Sequence, residues 1–200
     1  MNTQKKQSSD LCLESPDKET IFVSIPKNAS SFVSDWLIEN GWISRRIDST
    51  DPKYVALVLR DPVDRWCSGI AQYIQGLGIQ INEYTSAMDK IIFDVVDRFD
   101  DHTWPQHVFY EGVFPNRPKM LFRTDLDLQH TLKQHFRLQP PHTQNYNCSA
   151  HNIDKKQTID YFKQQLQNPV LLDKIKQAHA QDYAFMDKAE FIHFTPKADK

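Results

Sequence analysis

Lys27 sits between an apolar run and a cluster of small polar residues, the stretch from Ile21 to Phe32 reading IFVSIPKNASSF. A strand running into a lysine, a short turn and a helix start has the chemistry of an anion site. The first backbone N–H groups of a helix lack intrahelical acceptors and lie at the positive end of its dipole, so they favour a phosphate or sulfate. Lys27 adds a mobile full charge, and Ser30 and Ser31 add hydroxyl donors. The segment is not a G-x-x-x-x-G-K-[ST] loop, because it has no glycine and its lysine precedes the turn. Asn28 and Ala29 are expected to make the turn, since asparagine tolerates the left-handed region better than most residues.

A second junction of the same kind lies at Tyr54 to Tyr73, reading YVALVLRDPVDRWCSGIAQY. Tyr54 to Leu59 is a continuous apolar run, β-branched and aliphatic, the pattern of a strand buried on both faces. Arg60 ends it. Asp61 followed by Pro62 reads as an N-cap with proline at the first helical position, and Val63, Trp66, Ile70 and Tyr73 recur on one helical face. Ser68 then stands about two turns into that helix. The interval from Lys27 to Arg60 allows one crossover containing a helix, so both junctions can open on the same edge of a parallel sheet.

These residues resemble a known family, the sulfotransferases that use 3′-phosphoadenosine 5′-phosphosulfate (PAPS). PKNASS after a strand is similar to their 5′-phosphosulfate loop, with Asn28 and Ser30 where other residues are commoner. LRDPVDRWCSGIAQY is similar to their 3′-phosphate motif, RDPxxRxxSxxxxY. DDHTWPQ (Asp101 to Gln106 with its preceding aspartate context) resembles the DxHWxPQ segment of the carbohydrate sulfotransferases of Golgi type. KMLFRTDLD (Lys119 to Asp127) resembles the family's late strand and acidic turn. AHAQDYAFM (Ala178 to Met186) resembles its C-terminal helix, with His179 where a tyrosine is commoner. The resemblance runs from about Ile21 to Met186 and implies an α/β fold in a single domain, a P-loop-like central parallel sheet flanked by helices.

It also implies a reaction, transfer of a sulfuryl group from PAPS to an acceptor hydroxyl, leaving 3′-phosphoadenosine 5′-phosphate (PAP), with no metal required. By analogy with phosphoryl transfer, the protein mainly holds the groups in line and stabilises charge on the leaving oxygen. Lys27 is the expected stabiliser. Pro26, Lys27, Asn28, Ala29, Ser30, Ser31 and Phe32 are expected around the 5′-phosphosulfate. Arg60 and Ser68 are expected at the 3′-phosphate, where a guanidinium can bond two oxygens at once. His102 is the leading general base, since an unperturbed imidazole titrates near working pH. Glu39 is the alternative, because some members of the superfamily use a glutamate downstream of the loop. Arg65 is read as solvated or paired with Asp61 or Asp64 along the helix. Trp104 either lines the acceptor pocket or belongs to the core. His107, His142 and His151 have no motif behind them and are read as surface or acceptor-site residues.

Composition fits this class. The chain has 200 residues, enough for one domain with a sizeable core, and its formal charge of −2 carries no general footprint for nucleic acid. Anion recognition must therefore be local. No apolar run approaches the ~20 residues of a bilayer span and the N-terminus is polar, so the expected location is cytoplasmic, without a membrane span. Cys12, Cys67 and Cys148 are too widely spaced for a metal site. Residues 1–18 and 189–200 read as tails around a domain of residues 19–188. Helices are expected at Phe32 to Asn40, Glu83 to Phe99 and Leu126 to Phe136, with two more after an irregular stretch from Gln139 to Ala150; Asp100 to Arg117 reads as a functional loop.

The expected acceptor is a small-molecule or glycan hydroxyl, and nucleic acid is not an expected partner. Two other classes fit parts of the pattern. A P-loop kinase would need a glycine-rich loop and a metal-binding acidic residue in places where the sequence has neither. A non-catalytic nucleotide-binding module of the same fold would keep the phosphate sites without needing Lys27 and His102 together.

Overall fold

Period-two alternation builds the sheet. In β4 (Tyr54–Leu59), Val55, Leu57 and Leu59 face one side and Ala56 and Val58 the other, and all five are buried. β2 (Thr20–Val23) and β5 (Lys119–Arg123) follow the same rule, with Phe22 and Phe122 on one face and Ile21, Val23 and Leu121 on the opposite one. The computed structural model describes residues 11–83, 86–96, 101–124, 127–141 and 153–193. It holds a five-stranded sheet in the order β3 (Ile43–Arg46), β1 (Leu11–Glu14), β2, β4, β5.

β2, β4 and β5 are parallel, with Val23 opposite Leu57 and Leu59 opposite Arg123, so their carboxyl ends lie side by side. The sheet is not parallel throughout. β1 (Leu11–Glu14) runs antiparallel to β2, and β3 (Ile43–Arg46) antiparallel to β1. The expected tail through Lys18 is thus corrected from Leu11 onwards: Cys12 and Leu13 are apolar enough to be buried on opposite faces, and the segment closes a hairpin with β2. The expected tail after Lys188 is corrected likewise. Phe191 bridges Leu121, Ile192 N–H donates to Leu121 O at 2.8 Å, and Phe191 packs on the core. Residues 1–10 and 194–200, and with them His142, Cys148 and His151, lie outside the described residues.

Helices cover both faces. Against one lie α1 (Ser30–Glu39), through Val33, Trp36 and Leu37, and α5 (Leu128–Phe136), through Leu132. Against the other lie the short α4 (His107–Tyr110) and α8 (Ala180–Met186), through Phe109, Tyr110 and Phe185. Each of these side chains that is buried, all but the partly buried Phe185, contributes roughly 1.5–3 kcal/mol. A third cluster sits around α2 (Pro62–Gly76), whose Trp66, Ile70 and Ile74 pack with α3 (Ser86–Asp94), α6 (Ile153–Gln165) and α7 (Pro169–Ala178). The second of the two late helices expected from the sequence, with Leu171, Ile175, Ala178 and Phe185 on one face, is divided into α7 and α8 at His179, which caps both. Among the described residues no helix is long and apolar enough to cross a membrane.

One glycine sets how closely α2 meets the segment before α4. A Cβ at Gly69 would stand 2.2 Å from His102 O and 2.7 Å from His102 C, both backbone atoms. Replacing a helical glycine by alanine ordinarily stabilises by about 1 kcal/mol, but overpacking against backbone costs on the order of 1–3 kcal/mol. Gly69→Ala is therefore predicted to lower stability by about 2 kcal/mol in urea denaturation. Gly76→Ala, in open space on the same helix, is predicted to be neutral or stabilising. Equal effects of the two substitutions would contradict the close approach.

Candidate functional site

The loop after β2 is held in a strained shape. Lys27 and Ala29 have φ of 69° and 57°, left-handed conformations that cost roughly 1–2 kcal/mol for each non-glycine residue. Asn28 does not take the left-handed turn expected of it. Its side chain is buried instead, and Nδ2 donates to Val58 O at 2.8 Å and to Gln106 Oε1 at 2.5 Å. Its backbone N–H closes a turn onto Ile25 O at 3.2 Å. A buried asparagine thus pins the middle of the loop to the end of β4, and the residues on either side absorb the twist. Asn28 is a fastener of the loop through its side chain, and its N–H is turned onto Ile25 O.

The same twist prepares the mouth of α1. Ala29 caps the helix with no side-chain oxygen, and Val33 N–H to Ala29 O, at 3.0 Å, is the first intrahelical bond. The amides of Ser30, Ser31 and Phe32 precede it, at the positive end of the dipole. A left-handed Ala29 followed by a right-handed Ser30 makes a backbone nest, a concavity of N–H groups suited to an oxyanion. Lys27 Nζ reaches across to Gln72 Oε1 at 3.2 Å, on α2.

The two junctions meet. Arg60 follows β4 directly, and its Nη1 donates to Lys27 O at 3.2 Å. Asp61 caps α2 by accepting from Asp64 N–H at 2.9 Å, with Pro62 at the first helical position, as the sequence predicts. Ser68 is buried within α2, so its place as a phosphate ligand rests on motif spacing alone. Arg65 departs most from expectation. It is fully buried and pairs with neither expected aspartate: its guanidinium donates to Pro26 O at 2.9 Å, to Asp101 O at 3.2 Å and to Trp104 O, and lies over the Phe109 ring. One planar group therefore ties the Lys27 loop to the segment that carries His102.

That segment brings His102 to the same edge. The ring is partly exposed, with Nδ1 at 3.3 Å from Asp101 Oδ1. Trp104 packs partly buried against Phe109 and belongs to the core. Glu39 is not brought in: it is exposed in the last turn of α1, nine residues from Ser30 and so about 13 Å along the axis from the anion mouth.

Gln106 is the hub that chemistry-first reading of the sequence passed over. Its side chain clamps both backbone groups of Arg60, accepting from Arg60 N–H at 3.0 Å and donating to Arg60 O at 2.8 Å, while it also accepts from Asn28. Asp182, almost wholly buried on α8, holds Gln106 in turn by accepting from the amides of Gln106 at 2.7 Å and His107 at 2.8 Å. His107 Nδ1 lies 3.0 Å and His179 Nδ1 3.4 Å from the same carboxylate. His107 is therefore no surface histidine. An ionised carboxylate only accepts, so both rings carry their proton on Nδ1. The available signal was the run of polar residues in DDHTWPQ and AHAQDYAFM, two of them buried against each other.

Cys12 and Cys67 are buried thiols pushed up to about 11 and about 12 by burial, so neither is a nucleophile at neutral pH. Among the described residues no three or more His, Cys, Asp or Glu side chains are grouped so that they could hold a metal ion. What the edge offers is a nest of amides, an ammonium, a guanidinium and an imidazole over two adjacent parallel strands. Comparison of the chain with family models, curated proteins and solved structures gave no match.

The Asp182 carboxylate makes a measurable prediction. Burial raises its pKa, but the hydrogen bonds from His107, His179 and the two amides outweigh burial and hold it well below the usual carboxylate range. A depressed folded pKa stabilises fully above the unfolded value of about 3.9, and the contribution is lost as pH falls below it. Asp182→Asn is predicted to cost on the order of 3 kcal/mol at pH 7, since it turns a donor toward donors. The gap to wild type should narrow below about pH 4 in chemical denaturation followed by circular dichroism. A gap independent of pH would contradict an ionised Asp182.

Proposed function

We propose that this chain is a PAPS-dependent sulfotransferase of P-loop-like plan, moving a sulfuryl group from PAPS to an acceptor hydroxyl on a small molecule or glycan. The observation that carries the reading is the bond from Arg60 Nη1 to Lys27 O at 3.2 Å, which joins the two anion-binding junctions over neighbouring strand ends. A nucleotide with phosphate at both the 3′ and 5′ positions needs two such sites side by side.

In this reading the amides of Ser30 to Phe32, the nest at Ala29 and the hydroxyls of Ser30 and Ser31 hold the 5′-phosphate. Arg60 and Ser68 serve the 3′-phosphate, while Pro26 shapes the loop through its carbonyl. The acceptor oxygen attacks sulfur as the bond from sulfur to the phosphate oxygen breaks. Charge building on that leaving oxygen is met by Lys27. The acceptor's proton passes to His102 Nε2, because Asp101 favours the proton on Nδ1. PAP and the sulfate ester are the products. The position of Glu39 at the far end of α1 favours His102 over it as the base.

Nucleotide linkage tests the reading. PAP at a hundredfold excess over its dissociation constant should stabilise the fold by about 2.7 kcal/mol, and ATP, lacking a 3′-phosphate, by much less at equal concentration, with or without magnesium. Arg60→Ala should weaken PAP by about 1.5–3 kcal/mol. Equal thermal shifts with PAP and ATP would sink the proposal.

Chemistry is tested separately. With labelled PAPS and a screened acceptor, His102→Ala should lose on the order of 10² to 10⁴ in single-turnover rate with PAP affinity intact, and Glu39→Gln should stay close to wild type. A folded His102→Ala variant at wild-type rate would remove this imidazole from the reaction.

A further inference from the structure

Lys155 belongs to neither nucleotide motif, yet its Nζ donates to Gln72 Oε1 at 3.0 Å, the oxygen that also accepts from Lys27 Nζ at 3.2 Å. Sharing one acceptor puts the two ammonium nitrogens no more than about 6 Å apart, a separation at which like charges repel appreciably beside a protein surface. Both side chains are partly buried. An anion lying between the two lysines would meet both charges at once.

The helix pair delivers Lys155 to this place. α6 runs antiparallel along α2, pinned near the start of α2 by Lys163 Nζ to Asp64 Oδ1 at 2.6 Å and by Phe162 set edge-on to Trp66. Eight residues separate Asp64 from Gln72, and eight separate Lys163 from Lys155. Two helical arms of about 12 Å therefore end opposite each other. Gln72 also lies four residues after Ser68, on the same face of α2. The register of a packed helix pair, not the reach of a surface side chain, sets Lys155 against Lys27.

We infer that Lys155 is a second cation of the 5′ anion site, closing from α6 on a ligand with two linked anionic centres, as a phosphosulfate has, while Gln72 separates the lysines when no anion lies between them. The identity of that ligand rests on the proposed function; the cation pair does not. The ligand's oxygens replace Gln72 Oε1 as the shared acceptor, so the bound anion is clamped between the α1 mouth and α6.

Calorimetric titrations at fixed ionic strength test this, using inorganic pyrophosphate and PAP against wild type, Lys155→Gln, Lys155→Met and, as control, the exposed neighbour in Lys156→Gln. Removing one charge-assisted bond should weaken binding about 10- to 100-fold in both Lys155 variants and leave Lys156→Gln near wild type. Lys155→Arg should recover most of the loss. If both Lys155 variants bind every ligand that wild type binds with unchanged affinity, the inference is overturned and the sulfotransferase reading stands. If wild type binds pyrophosphate but not PAP, and Lys155→Gln weakens it, Lys155 is upheld and the nucleotide reading fails. Binding of neither ligand to wild type overturns both.

Discussion

A single buried guanidinium organises the working edge of this molecule. Arg65 sits inside the protein with its donors on the carbonyls of Pro26, Asp101 and Trp104, three points on two chain segments far apart in sequence. Burying a charge is costly unless its donors are satisfied, so these carbonyls are not free to turn elsewhere. With its carbonyl committed to Arg65, Pro26 fixes the entry to the Lys27 loop. The segment carrying His102 is fixed in the same act, and Gly69 lets it approach α2 closely enough for the bonds to form. Lysine could not replace this arginine, because a point charge lacks the planar fork that reaches three acceptors.

A second layer of buried polar groups supports the first. Asp182 positions Gln106, and Gln106 clamps Arg60 and Asn28, so α8 reaches the loops after β2 and β4 through two side chains. Such a network explains how Lys27 and Ala29 persist in left-handed conformations. Their strain, roughly 1–2 kcal/mol each, is offset by bonds on both flanks of the turn, from Asn28 to Val58 and from Arg60 to Lys27 O. The amides at the start of α1 are thereby held in place before any ligand arrives. On the proposed reading, donors preorganised in this way need no rearrangement as charge develops on the leaving oxygen.

How much of this was legible in the sequence follows from the range of each interaction. β4, its helix and the Asp61–Pro62 cap are written in local periodicity and capping chemistry, and the parallel adjacency of the two junctions in the length of the crossover. β1 escaped notice because four residues among polar neighbours give a weak periodic signal, and only pairing with β2 and β3 makes it a strand. Phe191 likewise is an isolated apolar residue until β5 lies beside it. Arg65 was misread, and Gln106 and Asp182 were passed over, for a common reason. Polar side chains carry solvent exposure as the default expectation, and only the tertiary fold supplies partners that let them be buried. Asn28 was assigned a turn that its neighbours make, because its intrinsic tolerance for left-handed backbone was outweighed by two buried acceptors.

The central claim is that the nest at Ala29, the start of α1 and Arg60 together form one nucleotide site. Amide hydrogen exchange followed residue by residue by NMR, with and without saturating PAP, addresses it directly. The account predicts slowed exchange at Ala29, Ser30, Ser31 and Phe32 and a shifted Arg60 side-chain resonance, with the C-terminal cleft lined by Lys119, Gln181 and Lys188 unchanged. Protection confined to that cleft, with the Ala29–Phe32 amides exchanging as in the free protein, would contradict it.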